Sequence, residues 1–142
     1  ELEYVDTSLR VIMSVHAGLN CLTLLSWGTE AQKQRYLVPQ AQGVKIAGYG
    51  LTEPSAGSDA RAIQTTAVKQ GDRYVLNGEK SWISLADVAD NFIVIAWTDL
   101  RKKQERDPSG LSAFIVERTF PGFSSGPMKE KWMLPSPIWP SG

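Results

Sequence analysis

Tyr49-Gly50-Leu51-Thr52-Glu53-Pro54-Ser55-Ala56-Gly57-Ser58-Asp59 is the stretch on which the reading of this chain turns. The run Lys45–Leu51 leads into it and has the apolar character of a short strand. Within eight residues the strand gives way to hydroxyls, a carboxylate, a proline and a glycine. Pro54 fixes one backbone angle, and Gly57 lets the main chain turn sharply or approach a ligand closely. Thr52, Ser55 and Ser58 add hydroxyls, and the turn offers backbone N–H groups that can cradle an anion. Such a segment is a strand-end loop suited to holding a polar group.

Upstream of the loop the pattern is helical. Leu9, Ile12, Met13, His16, Leu19 and Leu22 or Thr23 recur at helical spacing, and Asp6 or Thr7 can cap a helix over residues 7–26. Val11, Val15 and Leu25 widen the apolar surface, which places this helix deep in a bundle. Gly28 ends it. Thr29-Glu30-Ala31-Gln32 has the spacing of a capping box, so a second helix is expected from Glu30 to Val38, stopped by Pro39.

Downstream the pattern changes to strands. Ala62–Lys69 and Arg73–Leu76 flank a Gln70-Gly71-Asp72 turn, and Asn77-Gly78 is a second hairpin signal. Glu79–Ser84 reads as a strand with Trp82 and Ser84 on one face and Ile83 on the other. Leu85–Asp90 is a connector. Asn91–Thr98 is apolar nearly throughout, as in a strand buried on both faces. Leu100–Gly110 reads as a charged loop, Leu111–Glu117 as a strand, and Pro121-Gly122 as a turn toward a short strand near Phe123. The expected class is α+β, with two N-terminal helices followed by a compact antiparallel β domain. Residues 132–142 carry no readable period and form an irregular tail.

Composition bounds the function. The 142 residues are 42% apolar and 21% charged, ordinary for a folded chain. Fifteen Lys+Arg balance fifteen Asp+Glu, so nothing in the charge calls for nucleic acid or an acidic membrane surface. Arg10, His16 and Asn20 interrupt the apolar run Leu9–Trp27, which argues against a membrane span. The single Cys21 fits no disulfide framework and suits a reducing compartment. The first residue is Glu1, and a fragment or a processed chain is expected.

Two motifs together carry a resemblance. Tyr49 to Asp59 is similar to the first signature of the acyl-CoA dehydrogenase family, and Asn77-Gly78-Glu79-Lys80-Ser81-Trp82-Ile83-Ser84, with Ala89-Asp90 beyond, resembles the hairpin segment that follows it there. Gly28 to Leu37 resembles the helix pair leading into the family's β domain. The resemblance extends to about Lys131. It implies that residues 1–43 end a helical N-terminal domain and that 44–131 form a barrel-like middle β domain.

The resemblance also implies chemistry. The family uses FAD for α,β-dehydrogenation of an acyl-CoA thioester: a carboxylate takes the α proton while hydride leaves the β carbon for the flavin. Electrons then pass to an electron-transfer flavoprotein, and the full-length proteins are dimers or tetramers. By position, Tyr49, Leu51 and Thr52 would border the isoalloxazine. Gly57 and Ser58 would lie by the pyrophosphate, with Ser58 also near the passing acyl-CoA. Trp82 would lie against the flavin, Ile83 beside it, and Ser84, where many members have Thr, would place its hydroxyl near N5. Donors aimed at the flavin stabilise the negative charge it acquires on reduction. The family's catalytic glutamate belongs to a C-terminal helical domain, so no catalytic residue is assigned here, and this polypeptide alone is expected to be inactive.

The rivals are an acyl-CoA oxidase-type flavoenzyme and a non-catalytic β module that has lost its flavin. No metal-ligand spacing is present. His16 reads as a hydrogen-bonded core histidine, Cys21 as an inert core thiol, and Glu53 as a loop carboxylate held by backbone or cationic partners. The run Arg101–Arg106 reads as a solvated loop, with the phosphates of coenzyme A as a lesser alternative. The bacterial cytoplasm or the mitochondrial matrix is the expected compartment.

Overall fold

A computed structural model of the chain describes Tyr4 and residues 6–126. Helix α1, Thr7–Trp27, starts at Asp6, whose side chain accepts from the Ser8 amide. Over Met13–Cys21 its ladder widens to π spacing, with the Leu22 amide reaching back five residues to Ala17. Gly28 closes it: a β carbon there would lie 2.5 Å from the Leu24 carbonyl oxygen.

Helix α2 covers residues 30–41 and opens on the expected capping box, with Thr29 and Gln32 side chains each accepting from the other's amide. It does not stop at Pro39 but continues as Val38–Ala41. A proline lacks an N–H and crowds the carbonyl four residues back. Here a π turn over Lys33–Leu37 widens the helix just before it, which relieves that conflict.

The strands are β1 (Ala47–Gly50), β2 (Thr66–Gln70), β3 (Arg73–Asn77), β4 (Asn91–Trp97) and β5 (Leu111–Glu117). The α+β class holds, but the sheet is mixed rather than wholly antiparallel. β5 runs antiparallel to β4 along its entire length, from Asn91↔Glu117 to Trp97↔Leu111. β4's other edge is shared: β1 lies parallel to it from Ala47↔Asn91 to Gly50↔Val94, and β2 joins it, also parallel, at Thr66↔Trp97. β2 and β3 form the expected hairpin, closed by Gly71 and Asp72 with Gly71 at φ +63°.

Three other expectations are corrected. Residues 79–84 form no strand. The charged run contains a helix, α3 (Leu100–Glu105), because Asp99 caps it by accepting from the Arg101 and Lys102 amides. After the Pro121-Gly122 turn, Phe123 stacks on Phe92 with ring centroids 5.2 Å apart instead of entering a strand. The irregular tail lies outside the described residues.

The helices pack on one face of the sheet. Leu24 and Tyr36 meet Ile93, and Tyr36 donates its hydroxyl to Glu117 at 2.7 Å beside Arg35. By length and composition α1 would pass for a membrane span, yet two of its polar side chains, His16 and Asn20, are committed to β1. The Asn20 amide donates to the Gly48 carbonyl at 2.8 Å, and the Ala47 amide donates to His16 Nδ1 at 3.0 Å. An amide can only donate, so the His16 proton sits on Nε2, facing the Gln40 carbonyl at 3.2 Å. Gln40 also donates to Asn91 at 3.1 Å and accepts from the Cys21 thiol, which burial pushes up in pKa. His16 and Cys21 therefore keep the structural roles read from the sequence.

Candidate functional site

β1 ends at Gly50, and the chain leaves the sheet until β2 begins at Thr66. The loop between them is built on Glu53, only 4% exposed. Its amide and carbonyl pair with those of Ala56 at 3.0 and 3.1 Å, making a tight turn around Pro54 and Ser55. Its carboxylate accepts from the Gln64 amide, the Thr65 amide, the Thr65 hydroxyl and the Lys80 ammonium. Burial alone would raise the carboxyl's pKa, but these donors together outweigh it and hold Glu53 below the ordinary carboxylate value. Glu53 is thus fully engaged as a structural anion, as the sequence suggested.

The second wall comes from residues 78–85. Gly78 brings the chain against Thr65, and Lys80 then reaches both the Leu51 carbonyl at 3.1 Å and Glu53 Oε1 at 2.8 Å. The Ser81 amide donates to the Thr52 carbonyl at 2.8 Å. Gly48 leaves room for both the Phe92 ring and this segment: a β carbon on it would lie 2.7 Å from Phe92 Cδ1 and 3.3 Å from the Ser84 carbonyl oxygen. Beyond Ser84, Arg118 donates to the carbonyls of Ala86 and Ala89 at 2.5 and 2.7 Å, securing the connector.

Trp82 sits between these anchors at φ +60°, with its side chain exposed. A left-handed conformation is uncommon for a bulky residue and persists only where its surroundings impose it. The strand alternation expected for Trp82, Ile83 and Ser84 therefore does not apply; the backbone kink, not a pleat, sets their directions. Leu85 follows at φ +65°.

The expected site residues fall into two groups. Thr52, Gly57, Ser58, Trp82, Ile83 and Ser84 belong to the two facing loops. No hydrogen bond among the described residues engages the Thr52, Ser58 or Ser84 hydroxyl, and a β carbon on Gly57 would meet nothing within 4 Å. Tyr49 and Leu51 are instead half-buried in the core: Tyr49 packs with the Leu24–Tyr36–Ile93 cluster, where burial raises its phenol pKa, and Leu51 with Ala56, Ile63 and Trp97. Sequence reading missed Lys80, because no local pattern links it to a partner 27 residues away. It also missed the pairing of Arg106 with Asp59, which with Lys103 on the Gln64 carbonyl ties α3 to the loop's far end.

A tryptophan ring and three uncommitted hydroxyls stand at a loop with room for close backbone approach. Two family models cover the chain: the acyl-CoA dehydrogenase N-terminal domain matches residues 1–44, and the acyl-CoA dehydrogenase middle domain, which includes both site segments, matches residues 48–136. The chain belongs to the acyl-CoA dehydrogenase family.

Among curated relatives in this family, the short-chain specific acyl-CoA dehydrogenase of Clostridium acetobutylicum is 49% identical over 131 residues, covering 92% of this chain and 34% of the relative. The chain spans between a fifth and about a third of the length of the curated relatives it matches. Among solved structures, one of the electron transferring flavoprotein of Acidaminococcus fermentans contains a chain that superposes with a TM-score of 0.82 at 44% identity, covering 89% of this chain and 32% of that one. A glutaryl-CoA dehydrogenase from Mycobacterium smegmatis in complex with FADH2 gives 0.83 at 34% identity, covering 92% and 32%.

Proposed function

We propose that this chain is the flavin-holding portion of an FAD-dependent enzyme that dehydrogenates an acyl-CoA thioester between its α and β carbons. The observation that carries the reading is the docking of the Trp82 segment onto the Thr52 loop through Lys80 and Ser81, with Trp82 exposed next to the docked residues. Thr52 and Ser84 would donate to the polar edges of the isoalloxazine, and Trp82 would cover one of its faces. Gly57 and Ser58 would hold the pyrophosphate, with Ser58 also reaching acyl-CoA. Ile83 would support the Trp82–Ser84 turn. Tyr49 and Leu51 would back the site through the core. When bound, FAD supplies the two-electron acceptor; these residues bind it, orient it and stabilise the charge it gains.

The proton acceptor is assigned outside these residues, since Glu53 already takes four donors. Residues 1–43 are proposed as the end of a helical domain and 44–131 as the middle β domain. An electron-transfer flavoprotein as electron acceptor, a homo-oligomer for the full-length protein, and a bacterial cytoplasmic or mitochondrial matrix setting complete the proposal. The likenesses to the Clostridium, Acidaminococcus and Mycobacterium proteins support it.

The test is a titration of the protein, in its full reading frame, with FAD followed by absorbance. A flavin band that is red-shifted or sharpened on binding, and that weakens in W82A and T52V, is the expected result. A wild-type protein that leaves the flavin spectrum unchanged at saturating FAD would overturn the assignment.

A further inference from the structure

We infer that the buried Glu53–Lys80 pair is a positioning strut that holds the Trp82 wall at a fixed angle to the Thr52 loop; this deepens, and rests on, the flavin reading above. The argument begins with energetics. Lys80 and Glu53 side chains are 11% and 4% exposed. Burial draws the Lys80 pKa down, and its contact with Glu53 offsets that only in part. Taking two charges out of water largely cancels their attraction, so such a pair is a poor source of net stability and a good source of geometry.

The geometry is specific. Lys80 Nζ touches two acceptors on the facing loop, the Leu51 carbonyl and Glu53 Oε1, and the next amide, Ser81, docks on the Thr52 carbonyl. Two consecutive residues thus engage three consecutive residues, and the very next residue is Trp82 at φ +60°. A left-handed tryptophan needs constraint from both sides. Lys80 and Ser81 supply it on one side. The Ala86 amide on the Ile83 carbonyl at 3.3 Å, with Arg118 gripping the Ala86 and Ala89 carbonyls, supplies it on the other.

Of Glu53's remaining donors, Gln64 braces the loop alone, and Thr65 meets the Trp82 segment only through packing at Gly78, four residues before Trp82, a contact that T65V keeps in shape. This separates a positioning role from general support. In the full-length protein, K80M and T65V each remove one donor to Glu53 and should each lower the urea midpoint. Only K80M should also shift the near-UV circular dichroism of Trp82, isolated by subtracting W82F in the same background, and weaken FAD binding by roughly tenfold, the order seen when a supporting contact behind a binding residue is lost. K80Q, which keeps a polar end and leaves the Gln64 and Thr65 bonds to Glu53 in place, provides the same readout if K80M fails to fold. Equal FAD affinity for K80M and T65V, within about twofold, with an unmoved Trp82 signal would overturn the strut. If wild-type protein binds no FAD while K80M still shifts the Trp82 signal, the strut stands and the flavin reading falls.

Discussion

Gly78 lies so close to Thr65 that a β carbon on it would come within 2.3 Å of Thr65 Oγ1 and 2.7 Å of Thr65 Cα. Thr65 Oγ1 in turn donates to Glu53, so crowding at Gly78 is transmitted to the carboxylate that organises the loop. G78A is expected to cost roughly 2–3 kcal/mol, the range for forced overpacking against backbone. Gly71, at φ +63° with nothing within 4 Å, is the control. G71A should cost about 1 kcal/mol, from backbone conformation alone. Urea midpoints of the two variants check the order, and equal losses would refute the contact.

The left-handed Trp82 gives an inverted substitution series. At an ordinary position glycine is less stable than alanine because it loses more backbone entropy. At φ +60° the alanine β carbon carries the steric penalty instead. W82G should therefore be more stable than W82A by about 1 kcal/mol, while both weaken FAD binding. Thermal or urea melts of the pair decide it; W82A melting higher would show that the kink is not there.

Protonation of Glu53 should undermine the loop in acid. Its folded-state pKa lies below the ordinary 4.5, so the unfolded carboxylate binds a proton more tightly than the folded one. Its stabilising contribution is complete above about pH 4.5 and is lost as pH falls through the lowered value. E53Q should be less stable than wild type by about 3 kcal/mol at neutral pH, as when a buried pair is broken. The gap should narrow on acidification, while Asp59, Asp99, Asp107 and Glu117, whose pKa values are also lowered, still give both proteins an acid limb. Parallel pH–stability curves would count against the assignment.

His16 joins the helices to β1 through both ring nitrogens. H16A leaves the Ala47 amide unpaired, while the Gln40 carbonyl keeps its bond from the Gly43 amide at 3.0 Å, and should cost about 2 kcal/mol. The diagnostic signal is local. Hydrogen exchange at the Ala47 amide should accelerate more than exchange in the β2–β3 hairpin, and uniform acceleration across the sheet would contradict the latch.

Elements set by local chemistry were legible in the sequence. Caps at Asp6 and Thr29, the Gly71-Asp72 turn and the apolar run of β4 all stand where the residues put them. Strand direction was not legible, because alternation along a strand says nothing about which way its neighbour runs. The Asn77-Gly78 signal misled for a steric reason: the missing side chain of Gly78 serves close approach to Thr65, and the chain then leaves the sheet. In the site, hydroxyls and the tryptophan were readable from the two motifs. The kink at Trp82 and the ion pair beneath it were not, since both arise from contacts between distant segments. The helix at Leu100–Glu105 could have been found from Asp99, had its capping geometry been weighed above the charge run.

The shared edge of β4 has a consequence for how this scaffold can vary. One strand hands over to another along the same border, and the residues between them hang outside the ladder like slack at a seam. Length and side chains can change at the exposed turns of this stretch, residues 54–55 and 57–59, while Ala56, Ile63 and Thr65 stay fixed on Trp97 and Glu53. A rigid fabric with one tailored opening can be refitted to new ligands while the cloth around it stays as it was.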